Sequence, residues 1–96
     1  MQQLAEIKKQ LQQLKPELEN KFHVNTIGLF GSVVRDDFTS KSDVDIIVDF
    51  KKPIGIEFID LANYLESRLR LKVDMVSKNG IKEKYFKAIE KEIVYV

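Results

Sequence analysis

The chain opens with apolar residues spaced three and four positions apart, which is the period of one face of an α-helix. Pro16 interrupts this stretch, because proline lacks a backbone donor and clashes with the preceding turn. We therefore expect a helix from the chain start to Lys15, and residues 16–22 can form a second short helix. Core packing of the apolar face is the favoured interpretation, although docking onto a partner helix would give the same period. The residues of this face are Leu4, Ile7, Leu11 and Leu14.

A strict alternation of side chains marks residues 43–50 as a strand. Alternate residues of a strand point to opposite faces of the sheet, so one face here is wholly apolar and the other is rich in acids. The apolar face carries Val44, Ile46, Val48 and Phe50. The opposite face carries Asp43, Asp45, Ile47 and Asp49.

Further elements follow from shorter patterns. Apolar runs predict strands over 24–30 and 71–76, while Asn79-Gly80 marks a turn. Helices are predicted over 33–37, 56–70 and 81–91, the last anchored by Tyr85 and Phe86, and residues 93–96 form a short strand or a docked tail. This alternation of helices and strands indicates an α/β domain around a small sheet. The apolar face of the 56–70 helix is expected to consist of Phe58, Ile59, Ala62, Leu65 and Leu69.

Composition narrows the class of protein. With 96 residues, we expect a single domain over 1–96. The net charge of +1 comes from interleaved positive and negative residues, which argues against direct nucleic-acid binding. No apolar run is long enough to span a membrane, and the start lacks the pattern of a signal peptide. The absence of cysteine fits a cytoplasmic location and excludes Cys-ligated zinc.

A Gly-Ser turn after the first strand is the first candidate site. Gly31 lets the backbone approach an anion closely, and the Ser32 hydroxyl can bind a phosphate oxygen. Ser32 can also cap a short helix whose N-terminus favours negative charge. Arg35 lies one turn further on, where it either reaches the same phosphates or pairs with a nearby acid.

Three acids form the second candidate site. Asp43 and Asp45 share one face of their strand, so their carboxylates would repel each other unless a proton or a cation intervened. Magnesium prefers such oxygen ligands and completes its shell with water and phosphate. Asp74 is the natural third ligand, because it lies among apolar residues of a strand that we expect to be interior; pairing with Lys72 is the alternative.

These residues resemble the signature of the nucleotidyltransferase superfamily related to DNA polymerase β, which is Gly-Ser, a spacer and Asp-x-Asp. The closest likeness is to the minimal nucleotidyltransferases of the MNT or MntA type, and it covers nearly the whole chain. The resemblance implies a small mixed β-sheet packed with helices, as in the polymerase β palm. The stretches that carry it are 27–35, 42–50 and 72–77.

The resemblance also implies roles for the candidate residues. Gly31 and Ser32, with Arg35 beside them, would bind the phosphates of ATP. Asp43 and Asp45 would hold two Mg²⁺ ions, and Asp74 would hold the catalytic ion and help to deprotonate the attacking hydroxyl. Related proteins are antitoxins that transfer AMP to a tyrosine of a HEPN-domain RNase toxin, so the implied partner is such a toxin, in a homo- or hetero-oligomer.

Two other functions remain open from the sequence. The acceptor could be the hydroxyl of a small molecule, or the protein could neutralise a toxin by binding alone. A chain of 96 residues leaves no room for a separate acceptor-binding domain, which favours an acceptor that brings its own binding surface.

Overall fold

A computed structural model describes residues 3–35, 37–39 and 41–96. Residues 1, 2, 36 and 40 lie outside it, and with them the first two residues of the helix predicted from the chain start and one residue of the helix predicted over 33–37. The described helices are α1 (Gln3–Lys21), α2 (Ser32–Arg35), α3 (Glu57–Leu69) and α4 (Glu83–Ile89), and a 3₁₀ turn over Glu90–Glu92 follows α4. The strands are β1 (Val24–Phe30), β2 (Val44–Phe50), β3 (Val73–Ser77) and β4 (Val94–Tyr95).

The four strands form one mixed sheet in the order β3-β2-β1-β4. β1 runs antiparallel to both β2 and β4, whereas β2 and β3 are parallel and are joined through α3. A parallel pair needs such a crossover, because a tight turn can only reverse the chain. The predicted α/β class with a small mixed sheet is confirmed, and residues 94–95 prove to be a strand.

The main core lies on one face of the sheet, beneath α1 and α3. Ile7 and Leu11 of α1 are buried there, and Leu4 and Leu14 pack against the same cluster, so the first helix is a core element as predicted. A smaller cluster of Phe30, Ile47 and Ile89 lies on the opposite face, under α4. The two faces of β2 therefore differ as its alternation predicted. The face toward the main core carries Val44, Ile46 and Val48.

The predicted break at Pro16 is wrong, because α1 continues through it from Gln3 to Lys21. Proline deprives the carbonyl of Gln12 of its helical donor, and both residues are exposed, so water can serve that carbonyl instead. Leu11 and Leu18 on either side of the proline are fully buried. Their packing holds the two halves of the helix in line against the sheet.

Two further predictions are wrong: Ile59 is not part of the buried face of its helix, and Tyr85 does not anchor α4. Ile59 of α3 is 60% exposed, while Leu61 is fully buried in its place together with Leu65 and Leu69. Tyr85 of α4 is 51% exposed, and Phe86 and Ile89 alone face the smaller cluster. Each helix contacts only one side of the sheet, so its buried stripe is narrower than the spread of apolar residues in its sequence.

The prediction that the strand of Asp74 is interior is wrong. β3 lies at the edge of the sheet and pairs only with β2 within the described residues. Its start is fixed by α3, since the Glu66 carboxylate accepts a hydrogen bond from the Val73 backbone N–H at 3.0 Å. Asp74 itself is exposed. An acid at this position is therefore open to solvent, although it follows an apolar neighbour.

Among residues 3–35, 37–39 and 41–96, no helix is both long enough and apolar enough to cross a lipid bilayer.

Candidate active site

The Gly-Ser turn lies between β1 and α2 and needs glycine for two reasons. Gly31 has φ of +78°, a conformation that side chains with a Cβ rarely adopt. A Cβ at this position would also overlap Oδ2 of Asp45. The backbone of the turn therefore lies directly against the carboxylate of Asp45.

The short helix after this turn begins one residue earlier than predicted. The Gly31 carbonyl accepts hydrogen bonds from the N–H groups of Val34 at 3.0 Å and Arg35 at 3.1 Å. Gly31 is thus the N-cap of this helix, a role predicted for Ser32, and Ser32 is the first helical residue. Because α2 spans only Ser32–Arg35, its dipole is small, and any anion held here depends on the individual donors of the turn.

Sheet register brings the acids of different strands together. Asp45 lies opposite Phe30 of β1 on one side and opposite Asp74 of β3 on the other. Residues in register project from the same face of a sheet, so the two carboxylates are neighbours across β2 and β3. Asp43 precedes the first residue of β2 and is exposed. All three acids and the Gly31 turn consequently meet at one end of the sheet.

Asp45 is the electrostatic centre of this cluster. Burial raises the pKa of its carboxyl to about 6, and the negative charges of Asp74, Asp43 and Glu92 act in the same direction. The positive charge of Arg35 opposes them and lowers the pKa. A carboxyl with a raised pKa among like charges is one that a bound cation would stabilise in its ionised form.

The donor chemistry of these acids fits magnesium. Carboxylate oxygens are its preferred protein ligands, and a few of them suffice when phosphate and water complete the shell. In the described part of the chain, however, no three acidic, histidine or cysteine side chains already converge on one point as a metal cluster would. Asp45 and Asp74 are in register on neighbouring strands, so this pair of carboxylates is available to one ion.

Glu92 is a site residue that the sequence did not reveal. Its Oε1 accepts a hydrogen bond from the Gly31 backbone N–H at 2.7 Å and another from Arg35 Nη1 at 3.2 Å. It lies in the 3₁₀ turn 61 residues after Gly31, so neither spacing nor periodicity pointed to it. α4 carries it onto the face of the sheet from which Asp45 projects.

The sequence left two interpretations open for Arg35 and two for Asp74, and the structure shows whether each one forms an ion pair. Arg35 does pair with acids, since it contacts Glu92 at 3.2 Å and lies 4.0 Å from Asp37. Its guanidinium nevertheless lies beside the Gly31 turn, because both donate a hydrogen bond to the same oxygen of Glu92. Asp74 forms no ion pair with Lys72 among the residues that the structure describes.

Two similar proteins match this chain over nearly its whole length. Protein adenylyltransferase MntA of Thermococcus cleftensis is 46% identical over 94 residues, which cover 97% of this chain and 95% of that protein. A relative from Methanocaldococcus jannaschii, whose name assigns it provisionally as a protein adenylyltransferase, is 42% identical over 98 residues and covers 100% of both chains.

A solved structure shows the same fold. It is described as a tri-AMPylated Shewanella oneidensis HEPN toxin in complex with MNT antitoxin, and it matches with a TM-score of 0.67 and 25% identity. The match covers 99% of this chain and 71% of that one.

Residues 12–95 match the family described as Polymerase beta, Nucleotidyltransferase. The predicted resemblance is confirmed, and this chain belongs to that nucleotidyltransferase family.

Proposed function

We propose that this nucleotidyltransferase transfers AMP from ATP to a tyrosine hydroxyl of a HEPN-family toxin and thereby acts as its antitoxin. The observation that carries the proposal is the position of Asp45, which lies against the Gly31 turn and beside Asp74. A turn that can bind phosphate and a pair of acids at one end of the sheet are what transfer from a nucleoside triphosphate requires. The MntA relative and the AMPylated complex support a protein as the acceptor.

In this proposal, Gly31, Ser32 and Arg35 bind the triphosphate, and Asp43, Asp45 and Asp74 would hold two Mg²⁺ ions. The ions, when bound, would neutralise the triphosphate and lower the pKa of the acceptor hydroxyl. Asp74 helps to accept the proton of that hydroxyl. The acceptor oxygen forms a bond to the α-phosphorus, the bond to the bridging oxygen breaks, and pyrophosphate leaves.

The edge position of β3 favours an acceptor that belongs to another molecule. Asp74 is exposed at the border of the sheet, where a hydroxyl on a partner can approach it without a dedicated cleft. Asp45 is more deeply placed, between Phe30 and Asp74, which suits a ligand that stays on the enzyme side. This division agrees with the inference that a partner protein brings its own binding surface to the site.

The experiment combines the purified protein with a HEPN-domain protein from the same genome, ATP and Mg²⁺. Mass spectrometry of the HEPN protein should then show the added mass of AMP on a tyrosine. Asp43→Asn with Asp45→Asn should abolish the modification, whereas Asp49→Asn, further along the same strand, should not. If no AMP reaches any partner residue, the proposed acceptor is wrong.

A cell-growth assay separates catalysis from neutralisation by binding. Cells that express the toxin should survive with the wild-type protein and with Asp49→Asn, but not with the double variant. If the double variant still protects the cells fully, neutralisation does not depend on transfer. Labelled ATP with a panel of small hydroxyl compounds tests the remaining acceptor class in the same preparation.

A further inference from the structure

In the free protein, the backbone N–H of Gly31 in the Gly-Ser turn is already hydrogen-bonded to the carboxylate of Glu92. Gly31 N–H donates to Glu92 Oε1 at 2.7 Å, which is short and typical of a hydrogen bond to an ionised acceptor. The same oxygen accepts a hydrogen bond from Arg35 Nη1 at 3.2 Å. One negatively charged oxygen thus already bridges two groups that the proposed function assigns to the triphosphate.

The surroundings of Glu92 show that this contact is built into the fold. Its side chain is only 27% exposed, although glutamate is rarely buried without a partner. It belongs to the 3₁₀ turn that follows α4, and the next residue, Ile93, packs against the smaller apolar cluster. Gly31, which donates to Glu92, also lies directly against Asp45, so the carboxylate is held beside the strand acids.

We propose that Glu92 is an internal stand-in for phosphate, which holds the Gly31 turn and Arg35 in the free enzyme and must be displaced when the triphosphate binds. The inference rests on the proposed function, because it takes the Gly-Ser turn as the phosphate site. Triphosphate carries several negative charges, so it cannot share these donors with a fixed carboxylate without strong repulsion. Glu92 therefore sets the affinity for the nucleotide and is not a catalytic residue.

Two substitutions separate the charge of Glu92 from its presence. Glu92→Gln keeps an acceptor for the Gly31 N–H and removes the charge, whereas Glu92→Ala removes both. Both variants should bind inorganic triphosphate in the presence of Mg²⁺ more tightly than the wild type. The expected gain for Glu92→Ala is on the order of tenfold, since a hydrogen bond to an ionised group no longer has to be broken. The control is Glu90→Gln, an exposed acid of the same 3₁₀ turn, which should bind like the wild type.

Isothermal titration calorimetry measures these affinities, and the amide signal of Gly31 in ¹⁵N-resolved NMR spectra locates the exchange. In the wild type, triphosphate should shift this signal as one acceptor replaces another. In enzyme assays, the variants should lower KM for ATP with little change in kcat. Thermal unfolding of both variants checks that the turn remains folded, and Glu92→Gln provides the test if Glu92→Ala unfolds.

The outcomes distinguish this inference from the proposed function. Equal or weaker triphosphate binding by the variants overturns the inference, even if the wild type transfers AMP. Tighter binding without AMP transfer to any acceptor supports the inference and overturns the proposed function. If neither the wild type nor the variants bind triphosphate, the turn is not a phosphate site and both are wrong.

Discussion

Asp45 of β2 and Asp74 of β3 are directly in register across the parallel pair of the sheet, and their carboxylates project from the same face. This relationship joins residues that lie 29 positions apart in the chain, and α3 provides the connection between them. Burial, together with the negative charges of Asp74 and Asp43, raises the pKa of Asp45 to about 6. The pair therefore favours a proton below about pH 6 and a bound cation above it.

Asp45→Asn should stabilise the metal-free protein at pH 7. An acid whose pKa is higher in the folded than in the unfolded state makes the folded state less stable once it ionises. After allowance for solvent screening of a partly exposed group, the gain is about 1 kcal/mol in the free energy of unfolding, or roughly 4–8 °C in Tm. Thermal denaturation with a chelator present measures it. Asp49→Asn on the same strand is the control, and a lower Tm for Asp45→Asn would contradict the prediction.

Mg²⁺ binding should strengthen as the pH rises through about 6 and then level off. Below that pH, Asp45 is protonated and a proton competes with the ion for the same oxygen. In the metal-free protein, the sign is opposite: the free energy of unfolding falls as pH rises from about 4 to about 6, because the folded state binds the extra proton. Titration of Mg²⁺ at a series of pH values, followed by Tm, tests both signs. An affinity that does not change with pH between about 5 and 7 would exclude Asp45 as a ligand.

Gly31→Ala should destabilise the protein by about 2 kcal/mol or more and abolish nucleotide binding. An alanine here would have to keep a left-handed backbone conformation that a Cβ disfavours, and its Cβ would overlap Asp45 Oδ2 at the same time. Gly80→Ala is the matched control, because its Cβ would lie 3.7 Å from the nearest atom, Cβ of Ser77, in ordinary contact. That variant should stay within about 0.5 kcal/mol of the wild type. Urea denaturation compares the two, and equal costs would show that the turn tolerates a side chain.

Leu61→Ala and Ile59→Ala should differ sharply although the residues are two positions apart on α3. Leu61 is fully buried, so its truncation should cost about 2–4 kcal/mol through lost burial and a cavity. Ile59 is 60% exposed, and its truncation should stay within about 0.5 kcal/mol. Chemical denaturation of both variants provides the comparison. A large loss for Ile59→Ala alone would mean that this side chain is covered in solution, for example by a partner.

Much of the fold was predictable because it is written in local patterns. The alternation of β2 separates a core face from an acidic face, and the structure preserves that separation. The Gly31-Ser32 turn and the acids of β2 lie close in sequence, so their motif could be read directly. The break predicted at Pro16 was wrong because local propensity yielded to packing: Leu11 and Leu18 bury both halves of α1 on the same sheet.

The sequence by itself determined the class of fold, the Gly-Ser turn and the acids of the candidate site, since these depend on residue type and short spacing. Tertiary structure alone decided that Asp45 and Asp74 are in register and that β3 is an edge strand. It also decided that Glu92, 61 residues from Gly31, accepts the hydrogen bond of the Gly31 backbone N–H. The physical reason is that strand order, register and helix docking are set by burial of the whole chain, so contacts between distant residues leave no periodic signal in the sequence.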